Sequence, residues 1–139
     1  MNVLLDLNVV LDLLLQRAPW CVEAQAIWNA HHTGQITASI SAASLPTIFY
    51  VVRRAEGWDA AHVAINDCAK TLEILGVNTS VVLSAQSLPG RDFEDNLQAA
   101  CAIEHGCDVL VTRDKVGFRN LSIQVLTPAE LLAQILQGD

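Results

Sequence analysis

The stretch Asp92–Phe118, DFEDNLQAACAIEHGCDVLVTRDKVGF, decides the fold. Asp92 to His105 has the spacing of an amphipathic helix, and Gly106 closes it. Cys107 to Thr112 is then a strongly apolar strand. Working outward, Leu121 to Val125 is another strand, and Thr127-Pro128 opens a C-terminal helix. Upstream, Leu72 to Leu75 is a short strand, and a helix starts at Thr79 or Ser80 and ends before Leu88-Pro89-Gly90. Gln35 to Ile40 alternates as a strand, followed by a helix capped by Ser41 or Ser44 and reaching Ala55. Asp59 caps the next helix, which runs to about Cys68. At the N-terminus, Asn2 to Leu5 suits a buried strand that ends in Asp6. Asn8 starts a short helix through Leu15, and Pro19 opens another through about Ala30.

Strands therefore alternate with helices from end to end. That order predicts a three-layer α/β/α sandwich with a mainly parallel sheet of about five strands, in one domain spanning residues 1–139. A chain that is 52% hydrophobic and only 17% charged can bury a core and is not disordered. Its apolar runs, such as Val9 to Leu15, are interrupted by Asp12 and fall short of a membrane span. The opening MNVLLDLNVV lacks the basic segment of a secretory signal. Cys21, Cys68, Cys101 and Cys107 form no metal-binding pattern, and they suit reduced core residues of a cytoplasmic protein. The net charge of −7 argues against holding nucleic acid by bulk electrostatics, although it leaves nucleic acid open as a substrate.

In parallel sheets, ligands bind beyond the carboxyl ends of the strands, where the topology switches. Asp6 ends the first strand, Asp114 lies just past the fourth, and Asp92 and Asp95 stand in the first turn of the helix that feeds the fourth. If the first and fourth strands are neighbours, these acids share one pocket. Clustered carboxylates repel one another and favour a hard cation such as Mg²⁺ or Mn²⁺. A cation held this way can activate water and stabilise the leaving oxygen of a phosphodiester.

The segments Leu4–Arg17, LLDLNVVLDLLLQR, and Asp92–Phe118 together resemble the PIN-domain nucleases, and within them the VapC-like toxins. The resemblance covers nearly the whole chain. It implies an endoribonuclease with Asp6, Asp95 and Asp114 as catalytic, metal-binding acids, oriented by Asn8 and Thr112. It also implies RNA as substrate and an antitoxin as partner, and the apolar content fits a homodimer. Two positions depart from the family pattern. Leu7 stands where Thr is common. In Ser39–Arg54, SISAASLPTIFYVVRR, Thr47 occupies the place where the family usually has Glu, and Ser44 lies one turn earlier. The alternative is accordingly a degenerate, non-catalytic PIN domain that binds RNA or protein.

Simpler roles compete at several positions. Asp92 is most simply a helix N-cap, with metal ligation as the alternative. Glu94, between Asp92 and Asp95, is expected to point elsewhere and be solvated, and Asp12 to face solvent or pair with a base. Arg113, Lys115 and Arg119 are candidate contacts for the RNA backbone, or simply solvated. Arg53 and Arg54 suit a helix C-terminus. Trp20, Trp28 and Trp58 suit packing or an interface. A phospho-receiver domain needs an acid pair ending the first strand, an Asp ending the third and a Lys after the fifth. Here Leu5 adjoins Asp6, Gly76 follows the third strand, and no Lys lies between Leu121 and Asp139.

Overall fold

The computed structural model describes residues 1–138. Five strands form one sheet: β1 (Asn2–Leu5), β2 (Thr37–Ser41), β3 (Glu73–Leu75), β4 (Val109–Val111) and β5 (Gln124–Leu126). Their order is β3-β2-β1-β4-β5 and every pairing is parallel. The chain thus builds outward from β1 on one side, then returns to place β4 on the other side of β1. The switch point lies between β1 and β4, where Val3, Leu4 and Leu5 pair with Val109, Leu110 and Val111.

Side chains alternate across a strand, so the sheet feeds two cores. Val3, Leu5, Val109 and Val111 face one core, together with Ile27, Ile48 and Leu131. That face is covered by α1 (Leu7–Leu14), α2 (Trp20–His32), α3 (Leu45–Glu56), α4 (Trp58–Thr71) and α7 (Pro128–Gly138). Leu4 and Leu110 face the other core, under α5 (Thr79–Ser87) and α6 (Phe93–Glu104). Burial on both faces explains why β1 and β4 are apolar throughout. No helix among the described residues is long and apolar enough to cross a membrane.

The elements lie where the sequence predicts them, with shifts of one to three residues at their ends. Helix α4 begins at Trp58 after Gly57, so Asp59 stands in its first turn and does not cap it. The first helix also differs in how it starts. Leu7 is its first residue and Asp6 its N-cap, so Asn8 lies inside the helix, exposed, and does not open it. The four cysteines are free, with Cys68 and Cys101 buried. His31 does more than close α2: its ring nitrogens meet Thr71 O at 2.6 Å and the Ala38 amide at 2.9 Å, linking α2 to β2 and the end of α4.

Candidate metal centre

Two strand ends start the site. The backbone of Asp6 continues the ladder by donating to Val111 O at 2.9 Å, and Thr112 does the same toward Leu126 O at 2.9 Å. This brings the two side chains together: Thr112 Oγ1 donates to Asp6 Oδ2 at 2.8 Å. Both residues are buried. Burial raises the Asp6 carboxyl above its ordinary pKa, and nearby donors, the Thr112 hydroxyl first among them, offset part of that rise. Thr112 therefore orients Asp6 through its side chain, while Asn8 lies exposed on α1.

Helix α6 supplies the next group. Asp92 is its N-cap, with Oδ1 accepting from the Asp95 amide at 2.9 Å. This is the simpler of the two roles expected for Asp92. Asp95 is half-buried, and its carboxyl is pushed up to about 6. Burial is the largest cause, followed by the charges of Asp92, Asp6, Glu94 and Asp114. Asp95 thus senses the acids at both strand ends. Asp114 is exposed and caps the following 3₁₀ turn, its Oδ1 accepting from the Val116 amide at 3.1 Å. Its own amide is anchored on Thr112 Oγ1 at 3.1 Å, so one threonine fixes both Asp6 and the Asp114 backbone.

The floor of the site is a glycine. A Cβ on Gly117 would stand 2.7 Å from Asp95 Oδ2, so only glycine lets that carboxylate keep its position. Among the described residues no three His, Cys, Asp or Glu side chains stand at the spacing of a formed metal site. The oxygen-only donors and their mutual repulsion nevertheless suit a hard divalent cation.

The fold fixes the surroundings of Glu94, Asp12 and the basic residues near Asp114. Glu94 is not a freely solvated residue: it is half-buried, and its Oε2 accepts from Thr47 Oγ1 at 2.8 Å. Asp12 does not face solvent but is 1% exposed, so the salt-bridged alternative holds. Arg113 donates to it from Nε at 2.7 Å and from Nη2 at 3.1 Å, and lies 4.1 Å from the Trp20 ring centroid. Lys115 pairs with exposed Glu130 at 2.6 Å. Arg119 lines a cleft of about 230 Å³ with Arg91, Gly90 and Gly117. Neither Arg91 nor Arg119 takes part in an ion pair among the described residues.

Sequence reasoning did not single out Gln98. It is buried in α6, its Oε1 accepts from the Leu7 amide at 3.0 Å, and its amide group faces Asp6. The available signal was a polar residue on the apolar face of α6, one turn after Asp95.

A parallel α/β/α domain with Asp6, Thr112 and Asp95 at its switch point belongs to the class of α/β domains whose site lies beyond the strand ends. The PIN domain family profile matches residues 2–116, and the chain belongs to the PIN domain family. No curated protein matches the chain. Among solved structures, it is similar to DNA-bound VapBC from Salmonella typhimurium, with a TM-score of 0.71 at 16% identity, covering 92% of this chain and 98% of that one. It is also similar to VapBC-1 from nontypeable Haemophilus influenzae, with a TM-score of 0.68 at 16% identity over 93% and 99% of the two chains. A third is Mycobacterium tuberculosis VapC20, described as a toxin that cleaves the sarcin-ricin loop, with a TM-score of 0.67 at 14% identity over 81% and 90%. At these identities the likeness is one of fold.

Proposed function

We infer that this PIN domain is a divalent-metal-dependent endoribonuclease, the toxin of a toxin–antitoxin pair. The observation that carries this reading is the meeting of acids at the switch point of a PIN domain, with Asp6 fixed by Thr112 at 2.8 Å and Asp95 seated against Gly117. Asp6, Asp95 and Asp114 would hold Mg²⁺ or Mn²⁺. When bound, the cation supplies positive charge to the scissile phosphate and makes a water more acidic.

The rest of the chemistry falls to this chain's own residues. Thr112 holds the Asp6 carboxylate in one orientation, and the buried Gln98 amide lies on the same side. Asp92 ties down the first turn of α6 and so the position of Asp95. The oxygen of the attacking water bonds to phosphorus and its proton passes to a site carboxylate. The phosphorus–oxygen bond breaks and the leaving ribose oxygen takes up a proton. Arg119, with Arg91 beside it, binds backbone phosphates flanking the scissile one. Lys115 joins them when it leaves its exposed ion pair with Glu130, which is weak. Arg113 is already engaged with Asp12 and contributes less.

The similarity to VapBC assemblies and to a toxin that cleaves the sarcin-ricin loop supports an antitoxin partner and an RNA substrate. A homodimer has apolar surface available at exposed Tyr50 and Trp58, on the adjoining helices α3 and α4. Function in the cytoplasm, where RNA and an antitoxin would be met, goes with this reading.

The test is incubation of purified protein with structured RNAs, with and without Mg²⁺ or Mn²⁺, with Asp95→Asn as control. Cleavage that needs the metal and is lost in the variant is expected. Cleavage that survives the substitution or a chelator refutes the mechanism. A second reading, a non-catalytic RNA-binding PIN domain, draws on Thr47 standing where the family has Glu. Tight RNA binding without cleavage of any RNA would favour it.

A further inference from the structure

The contact between Thr47 and Glu94 has no role in the centre described so far. Thr47 lies in the first turn of α3 and Glu94 in the first turn of α6, and the hydroxyl donates across 2.8 Å between residues 47 apart in sequence. Glu94 has no ion-pair partner among the described residues. The structure therefore holds a half-buried carboxylate beside Asp95 with no counter-charge. The Thr47 hydroxyl satisfies one of its oxygens, and an unpaired carboxylate so placed is a ready ligand for a hard cation.

A second observation shows which way this face of α6 points. Gln98 is four residues after Glu94, so the two share one stripe of the helix. Gln98 is 1% exposed and its Nε2 has no hydrogen-bond partner at bonding distance. The same amide is directed at Asp6, whose charge it favours. The stripe that carries Glu94 thus faces the end of β1, where Asp6 stands. Glu94 also contributes to the field at Asp95, alongside Asp92, Asp6 and Asp114.

We propose that Glu94 is a fourth metal-ligating carboxylate of the centre, delivered from α6 and held in place by the Thr47 hydroxyl. The inference rests on the metal-centre reading above. It gives Thr47 a positive role. The start of α3 supplies a tether in place of an acid, and the acid comes from the opposite helix.

The test is titration calorimetry of Mn²⁺ into the full chain without RNA, so the readout is metal affinity and not cleavage. Glu94→Gln is expected to weaken Mn²⁺ binding by about tenfold or more, and Thr47→Val, which removes only the tether, by a smaller factor. Moving the acid back to α3, in the double variant Glu94→Gln with Thr47→Glu, is expected to restore most of the affinity. Glu56→Gln, which removes an exposed acid at the far end of α3, controls for net charge, and urea unfolding of each variant controls for folding. If Glu94→Gln binds Mn²⁺ as Glu56→Gln does, while Asp95→Asn abolishes binding, this inference fails and the centre stands. If the wild-type chain binds no Mn²⁺, both fall.

Discussion

Arg113 closes on the buried carboxylate of Asp12 from 101 residues away, through hydrogen bonds of 2.7 Å and 3.1 Å. The pair joins α1 to the loop after β4, so the two strand ends that carry Asp6 and Asp114 are braced from below. Arg17 adds a longer contact to the same carboxylate at 3.6 Å. Asp12 is 1% exposed, and removing Arg113 leaves a buried charge with only that weaker partner. Arg113→Ala is expected to destabilise the fold by about 2–4 kcal/mol, measured by urea unfolding. A loss under about 0.5 kcal/mol, the range of an ordinary surface substitution, would show that the pair does not brace the site.

Gly117 lies against Asp95, and an added Cβ would come within 2.7 Å of Asp95 Oδ2. The atom in the way is the tip of a side chain, which can swing aside. Gly117→Ala is therefore expected to fold with near-native stability but to displace the carboxylate from the centre. Mn²⁺ affinity should fall by about tenfold. Unchanged affinity in a folded variant would remove Asp95 from the ligand set.

The raised carboxyls give the metal-free protein a pH signature. Asp95 titrates at about 6 in the folded chain, against 3.8 as its ordinary value, and Asp6 is raised in the same direction. Between these values the folded state binds more protons than the unfolded one. The stabilising contribution is complete below the ordinary value and is lost as pH rises through about 6. Glu130, held at about 2 by Lys115, works in the opposite sense, but its contribution is lost only in stronger acid. Metal-free protein is thus expected to have a higher urea midpoint at about pH 5 than at about pH 7.5, and Asp95→Asn to flatten the difference. A midpoint that climbs from acid to neutral pH would contradict the field assigned to Asp95.

Arg91 and Arg119 line the cleft beside Gly117 and take part in no ion pair among the described residues. If they bind backbone phosphates, replacing both with Ala should weaken RNA binding across sequences and lower the salt slope by about 2. Mn²⁺ affinity measured without RNA should stay as in wild type. An unaltered salt dependence would place the RNA track elsewhere.

Much of the architecture is local and could be read from the chain. Apolar residues at helical spacing, glycine after His105 and apolar runs in β1 and β4 need only neighbours in sequence to be recognised. Asp6 and Asp114 were placed by the same kind of signal, since residues at the ends of parallel strands face the switch point, whereas the orienting role of Thr112 came from the family resemblance. Asp92 carries its role in its position, as the residue before a helix with a side chain able to reach Asp95.

The direction of individual side chains belonged to the tertiary structure. In sequence, Glu94 is an acid on the first turn of a helix, and only the packing of α3 near α6 sets Thr47 before it. Asn8 looked like an orienting side chain, but the helix starts at Leu7 with Asp6 as its N-cap, and Asn8 lies exposed. Arg113 among basic neighbours suggested a free cation until the fold brought buried Asp12 beneath it. Periodicity follows from bonded neighbours and survives in the one-dimensional record. Partnership between distant residues depends on how helices seat on the sheet, which no local pattern encodes.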